Sequence, residues 1–173
     1  MPLFSTDKFQ IEIERNWKNI YNISETVIPP DEREVAAMID QIMEYNKKFV
    51  ENKGYEPFLT SKYPDKKLAI LTCMDTRLIE LLPAALGIKN GDAKIIKNAG
   101  GTMVHPYGSV VRSLLVGILE LGVEEVMVIG HTDCGVQGMD GKEMLELLEK
   151  RGIDKQHIDI VRHSGIDLEN WLG

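Results

Sequence analysis

The chain is poor in cysteine, in basic charge and in long apolar runs, and each shortage excludes something. Two cysteines among 173 residues allow one disulfide at most, which is too few for a disulfide-stapled secreted scaffold. Twenty Lys and Arg against 27 Asp and Glu leave a net charge of −7 and a pI near 5.1. That balance argues against nucleic acid or an anionic membrane as the main partner, because phosphate binding needs a basic surface. No apolar run approaches the roughly 20 residues of a membrane-spanning helix. Met1–Asp7 has neither the basic region nor the apolar core of a signal peptide, so the cytoplasm is the expected compartment, and its reducing conditions disfavour a disulfide. There is no Gly-x-Gly-x-x-Gly, and Asn98-Ala99-Gly100-Gly101 lacks the Lys and Ser/Thr of a phosphate-binding loop. A nucleotide site is therefore not expected. Internal repeats and low-complexity tracts are also missing.

What is present suits one domain with a real core: 43% apolar and 27% charged residues over 173 positions. Lys8–Ile13 alternates apolar and polar residues, a short strand pattern. Pro29-Pro30 then punctuates the chain, which divides it into an N-terminal arm, 1–31, and a main domain, 32–173. Val35, Ile39, Ile42, Met43, Phe49 and Val50 follow helical spacing and predict an amphipathic helix over about 32–52. Gly54, Pro57 and Pro64 mark a loop. From Lys67 onward, short apolar runs alternate with helical stretches. Strands are predicted at 68–71, 93–97 and 125–129, and helices at 79–86, 109–121 and 142–151, with Gly87, Gly122 and Gly152 as stops. The alternation predicts an α/β fold: a parallel β-sheet core with right-handed βαβ crossovers and flanking helices. Ligands of such sheets bind beyond the carboxyl ends of the strands.

The chemistry-bearing residues fall at those ends. Cys73 follows the first run, in Cys73-Met74-Asp75-Thr76-Arg77; His131 and Cys134 follow the third, in His131-Thr132-Asp133-Cys134-Gly135. Singly, a free cysteine is as easily a buried small apolar side chain, and His131 a satisfied strand-end histidine. Together, two thiolates and an imidazole are a zinc set, and three protein ligands leave the fourth tetrahedral position open, as a catalytic zinc requires. A closed structural zinc with Asp75 as its fourth ligand is the alternative. Two thiolates nearly neutralise the ion, so bound water needs help to ionise near neutral pH, although such water can reach a pKa of about 7. Asp75 and Arg77 can face the same way, with the planar guanidinium fixing the carboxylate. They read otherwise as a helix cap and a surface ion pair. Asn98–Gly101 follows the second strand and reads either as part of the site or as a tight turn. His105 reads as a proton shuttle, a rim residue or a polar helix start.

Cys-x-Asp-(Ser/Thr)-Arg, then Asn-Ala-Gly, then His-x-x-Cys, in this order after these strands, resembles the β-class carbonic anhydrases, over about residues 42–173 and most closely the short prokaryotic type. The resemblance implies one Zn²⁺ per subunit on Cys73, His131 and Cys134, with Asp75 and Arg77 as a catalytic dyad. It implies a substrate pocket lined by Asn98, Ala99, Gly100 and Gly101. The implied reaction is reversible hydration of carbon dioxide to bicarbonate by a zinc-bound hydroxide, in a homodimer or a multiple of dimers. Carbon disulfide or carbonyl sulfide hydrolysis on the same site is an alternative, and a catalytically weak zinc-binding scaffold is another. Thr76 stands where Ser is commoner, and the hydroxyl remains. The N-terminus carries more residues than short members need. Where the sequence stops, at Gly173, family members continue into a long helix and two further strands. A bare edge beside the third strand is therefore expected, with Lys8–Ile13 as the segment available to cover it.

Overall fold

A computed structural model describes residues 32–163. The arm 1–31, with the strand expected at Lys8–Ile13, lies outside the described residues. Eight regular elements follow one another: α1 Glu32–Glu51, β1 Leu68–Cys73, α2 Leu78–Leu86, β2 Ala93–Asn98, α3 Ser109–Glu120, β3 Glu125–Ile129, α4 Gly141–Lys150 and α5 Lys155–His163. Short 3₁₀ turns occupy Glu56–Phe58 and Ala99–Gly101. The chain divides into two compact units, one of residues 60–144 and the other of the described residues up to Leu59 and from Leu145 onward.

The unit of residues 60–144 holds the sheet. Its strands are parallel in the order β2-β1-β3. β1 is the middle strand, and every residue from Ala69 to Cys73 is buried. An unbroken apolar run is what a parallel strand covered on both faces needs. Full burial of Ile70 and Leu71 contributes about 2 kcal/mol each before entropy is counted. Ile70, Cys73, Leu78 and Leu82 form the buried centre, with Leu68, Ile88, Ala93, Ile129 and Cys134 packed on it. β3 pairs with β1 on one side and with no other strand among the described residues. Its Val126, Met127 and Val128 are exposed, Val128 by 59%.

The helices begin and end where the residues dictate. Asp75 Oδ1 accepts the Arg77 N–H at 2.8 Å, and the Asp75 carbonyl accepts from the Leu78 N–H, turning the chain out of β1 into α2. α2 stops at Gly87, whose φ of 62° lies in the left-handed region that glycine adopts without a Cβ penalty. The Ile88 N–H closes the helix by donating to the Pro83 carbonyl at 3.0 Å. In the other unit, Phe49 of α1 lies 6.4 Å from Phe58, ring centre to ring centre. α5 is absent from the sequence expectations. Asp154 starts it, with Oδ1 accepting the Gln156 N–H at 2.8 Å, and Ile158 is buried.

Candidate metal centre

The strand order puts the switch point of the sheet at β1. The chain leaves β1 for β2 on one side, then crosses to β3 on the other, and the crevice between the carboxyl ends of β1 and β3 is where such folds bind ligands. Cys73 is the last residue of β1, and His131 and Cys134 lie just beyond β3. The Thr72 hydroxyl, fully buried, donates to the Ile129 carbonyl at 2.9 Å and pins the two strand ends together.

The three donors converge. Their ligand atoms all lie within 4.8 Å of one another. Cys73 Sγ and Cys134 Sγ are 3.7 Å apart, and both cysteines are free. Two sulfurs about 2.3 Å from a tetrahedral ion stand about 3.8 Å apart, so the pair already has zinc spacing. His131 Nδ1 lies 2.9 Å from the Thr132 carbonyl. A carbonyl only accepts, so Nδ1 carries the proton and Nε2 is left as the donor atom. Nε2 is buried without a hydrogen-bond partner, an arrangement that costs free energy unless something binds there. Burial pushes the Cys73 thiol up, but the neighbouring His131 ring, the backbone at Asp75 and Gly100, and Cys134 outweigh it and bring it down to about 7. The Cys73 sulfur in turn raises His131, against the opposing effect of burial. Soft donors of this number and spacing fit zinc.

Asp75 and Arg77 meet in a bidentate pair. Arg77 Nε donates to Asp75 Oδ1 at 2.9 Å and Nη2 to Oδ2 at 2.8 Å. The guanidinium, followed by the Arg77 backbone N–H, holds the Asp75 carboxyl well below the usual carboxylate range, and Asp75 is the leading cause of a raised Arg77. Asp75 Oδ2 stands 3.9 Å from His131 Nε2, so the carboxylate borders the donor trio.

Asn98–Gly101 comes against Cys73 from the β2 side. The Asn98 amide is occupied within its own loop: Nδ2 donates to the Thr102 carbonyl at 2.6 Å, and Oδ1 accepts the Thr102 N–H at 3.0 Å. Gly100 and Gly101 have φ of 75° and 67°. A Cβ on Gly101 would sit 2.9 Å from the Thr72 carbonyl carbon and 3.0 Å from the Cys73 nitrogen, so glycine lets the loop touch the ligand strand. His105 is exposed, and its Nδ1 accepts the Tyr107 N–H at 3.3 Å. Sequence reasoning missed Thr72, Thr102 and Asp133. Asp133 takes φ 54°, a left-handed conformation that Asp tolerates better than most residues; that tolerance was its one local signal.

The family model described as carbonic anhydrase matches residues 68–164. The Bacillus subtilis protein YtiB, provisionally named a carbonic anhydrase, is 51% identical over 136 residues, covering 79% of this chain and 73% of its own. A carbon disulfide hydrolase of Saccharolobus solfataricus is 36% identical over 96 residues, 56% of this chain and 45% of its own. The crystal structure of a β-carbonic anhydrase from Trichomonas vaginalis superposes with a TM-score of 0.63 at 36% identity, covering 73% of this chain and 69% of that one. No helix among the described residues is long and apolar enough to cross a membrane. Sheet, motif order and relatives coincide: this chain belongs to the β-class carbonic anhydrase family.

Proposed function

We propose that the chain holds zinc on Cys73, His131 and Cys134 and hydrates carbon dioxide reversibly to bicarbonate. The observation that carries this reading is the unpartnered, buried His131 Nε2 beside two sulfurs 3.7 Å apart, with the Asp75 carboxylate 3.9 Å away. Zinc bound there would supply Lewis acidity, bringing water within reach of ionisation near neutral pH. Arg77 keeps Asp75 ionised and fixed. Asp75 Oδ1 is taken up by the Arg77 N–H and Nε, whereas Oδ2 accepts from Nη2. Oδ2 therefore has the free lone pair with which to accept the O–H of the nucleophile and turn it toward the carbon of carbon dioxide. The Gly100–Gly101 backbone walls this side of the site. Self-association as a homodimer or a multiple of dimers belongs to the same reading, as does a cytoplasmic compartment that keeps both cysteines reduced.

Stopped-flow hydration on metal-replete protein tests it. Asp75→Ala is expected to retain zinc and lose turnover by about a hundredfold, whereas Cys134→Ala loses the metal. Full activity in Asp75→Ala would sink the dyad, and zinc bound without any hydration would favour a scaffold. A second substrate reading is supported by carbon disulfide hydrolases among the relatives, 32–36% identical over 96–98 residues. Turnover of carbon dioxide, carbon disulfide and carbonyl sulfide measured side by side separates the two.

A further inference from the structure

Arg77 grips more than Asp75. A guanidinium has five N–H donors in a rigid fork, and four of these bonds are placed. Two go to the Asp75 carboxylate. The other two go to Asp133: Nη1 donates to Oδ2 at 3.0 Å, and Nη2 donates to the backbone carbonyl at 2.7 Å. Asp133 lies between His131 and Cys134 in the sequence, at a left-handed φ of 54°, and both its carbonyl and its carboxylate are aimed at the same side chain. Arg77 therefore ties the loop that follows Cys73 to the loop that carries the other two donors. As an isolated surface pair this would contribute little, since the Arg77 and Asp133 side chains are 53% and 89% exposed. Its effect is orientation. The fork is planar, so fixing Nη1 fixes the plane in which Nε and Nη2 present their protons to Asp75.

We propose that Asp133 is a positioning residue that orients Arg77 and, through Arg77, holds the Asp75 carboxylate in place. This rests on the zinc reading above. Asp75 Oδ2 is 3.9 Å from His131 Nε2, close enough for a loosened carboxylate to become a fourth donor and close the site.

Three substitutions separate carboxylate from backbone. Asp133→Ala removes the carboxylate acceptor and keeps the backbone carbonyl. Asp133→Asn keeps an acceptor oxygen and a residue at ease with positive φ. Asp133→Gly relieves the backbone but supplies no side-chain acceptor. In zinc-loaded protein, Asp133→Ala and Asp133→Gly should retain the metal and lose kcat by about ten- to a hundredfold, with KM little changed, and Asp133→Asn should recover most of it. With cobalt(II) in place of zinc, the visible absorption of the Ala and Gly variants should shift toward added carboxylate ligation, and that of Asn should not. In metal-free protein, the Arg77 Nε–H resonance should lose exchange protection in Ala and Gly only. Wild-type-like behaviour of Asp133→Gly, or an unchanged cobalt spectrum and Nε–H exchange in Asp133→Ala, would overturn the proposal. If the wild type hydrates no carbon dioxide, the activity reading falls, while the cobalt spectrum and the Nε–H exchange still decide the role of Asp133.

Discussion

At Gly101 a single hydrogen takes the place that any other residue would fill with carbon. The nearest atoms to an added Cβ are main chain, the Thr72 carbonyl carbon and the Cys73 nitrogen, and main chain at the end of a buried strand cannot step aside. Gly101 also has φ 67°, which an L side chain adopts only under strain. Gly101→Ala should therefore shift the Cys73 backbone and weaken zinc binding by about tenfold or more, read by competition with a chromophoric chelator. Gly87→Ala, a positive-φ site with nothing within 4 Å, should cost some stability at the end of α2 and leave zinc affinity unchanged. The meeting of Cys73, His131 and Cys134 was legible in the sequence from their combination at strand ends, although each singly has other uses. The grip of Asp133 on Arg77 was not, because it depends on a backbone carbonyl turned round by a positive φ that no pattern of residue types announces.

At the scale of elements, β1 to β3 stood out because each is a short apolar run, and the closing glycines of α2 and α3 took up the left-handed φ that such stops require. α5 did not stand out: Lys155–His163 carries three apolar residues in nine, so only its flanks in the sequence, Asp154 as a cap and Gly165 beyond its end, announced it. The order β2-β1-β3 was equally hidden, since apolar runs mark strands but not which lies in the middle. The turn from β1 into α2 makes a separate prediction. The Asp75 carboxyl is depressed in the folded protein, chiefly by Arg77. Its contribution to stability is therefore fully present above its unfolded value of about 3.9 and is lost as pH falls through the folded value. In metal-free protein, the difference in urea midpoint between wild type and Asp75→Asn should be constant above about pH 5 and shrink below about pH 4. A difference that grows on acidification would contradict the assigned sign.

At the scale of the whole molecule, metal and fold are linked. On the zinc reading proposed above, the ion binds the assembled trio far more tightly than the nearby pair alone, so at a hundredfold excess over Kd it adds up to about 2.7 kcal/mol. Chelation should accordingly lower Tm by roughly 5–10 °C, measured by scanning calorimetry with and without a strong chelator. An unchanged Tm in protein shown to release its zinc would break the linkage. Zinc affinity should also rise with pH between about 6 and 8, because bound thiols must shed their protons and Cys73 holds its proton to about 7 in the metal-free protein. The separation of the donors along the chain has a consequence for assembly. His131 and Cys134 are neighbours in any conformation, a half-site open even to an unfolded chain, whereas Cys73 is 61 residues away from Cys134 and arrives only when β1 lies beside β3 and that long loop has closed. Zinc capture during refolding should therefore have two phases: a weak, early one on the nearby pair, and a late, tight one whose onset times the parallel pairing of the sheet.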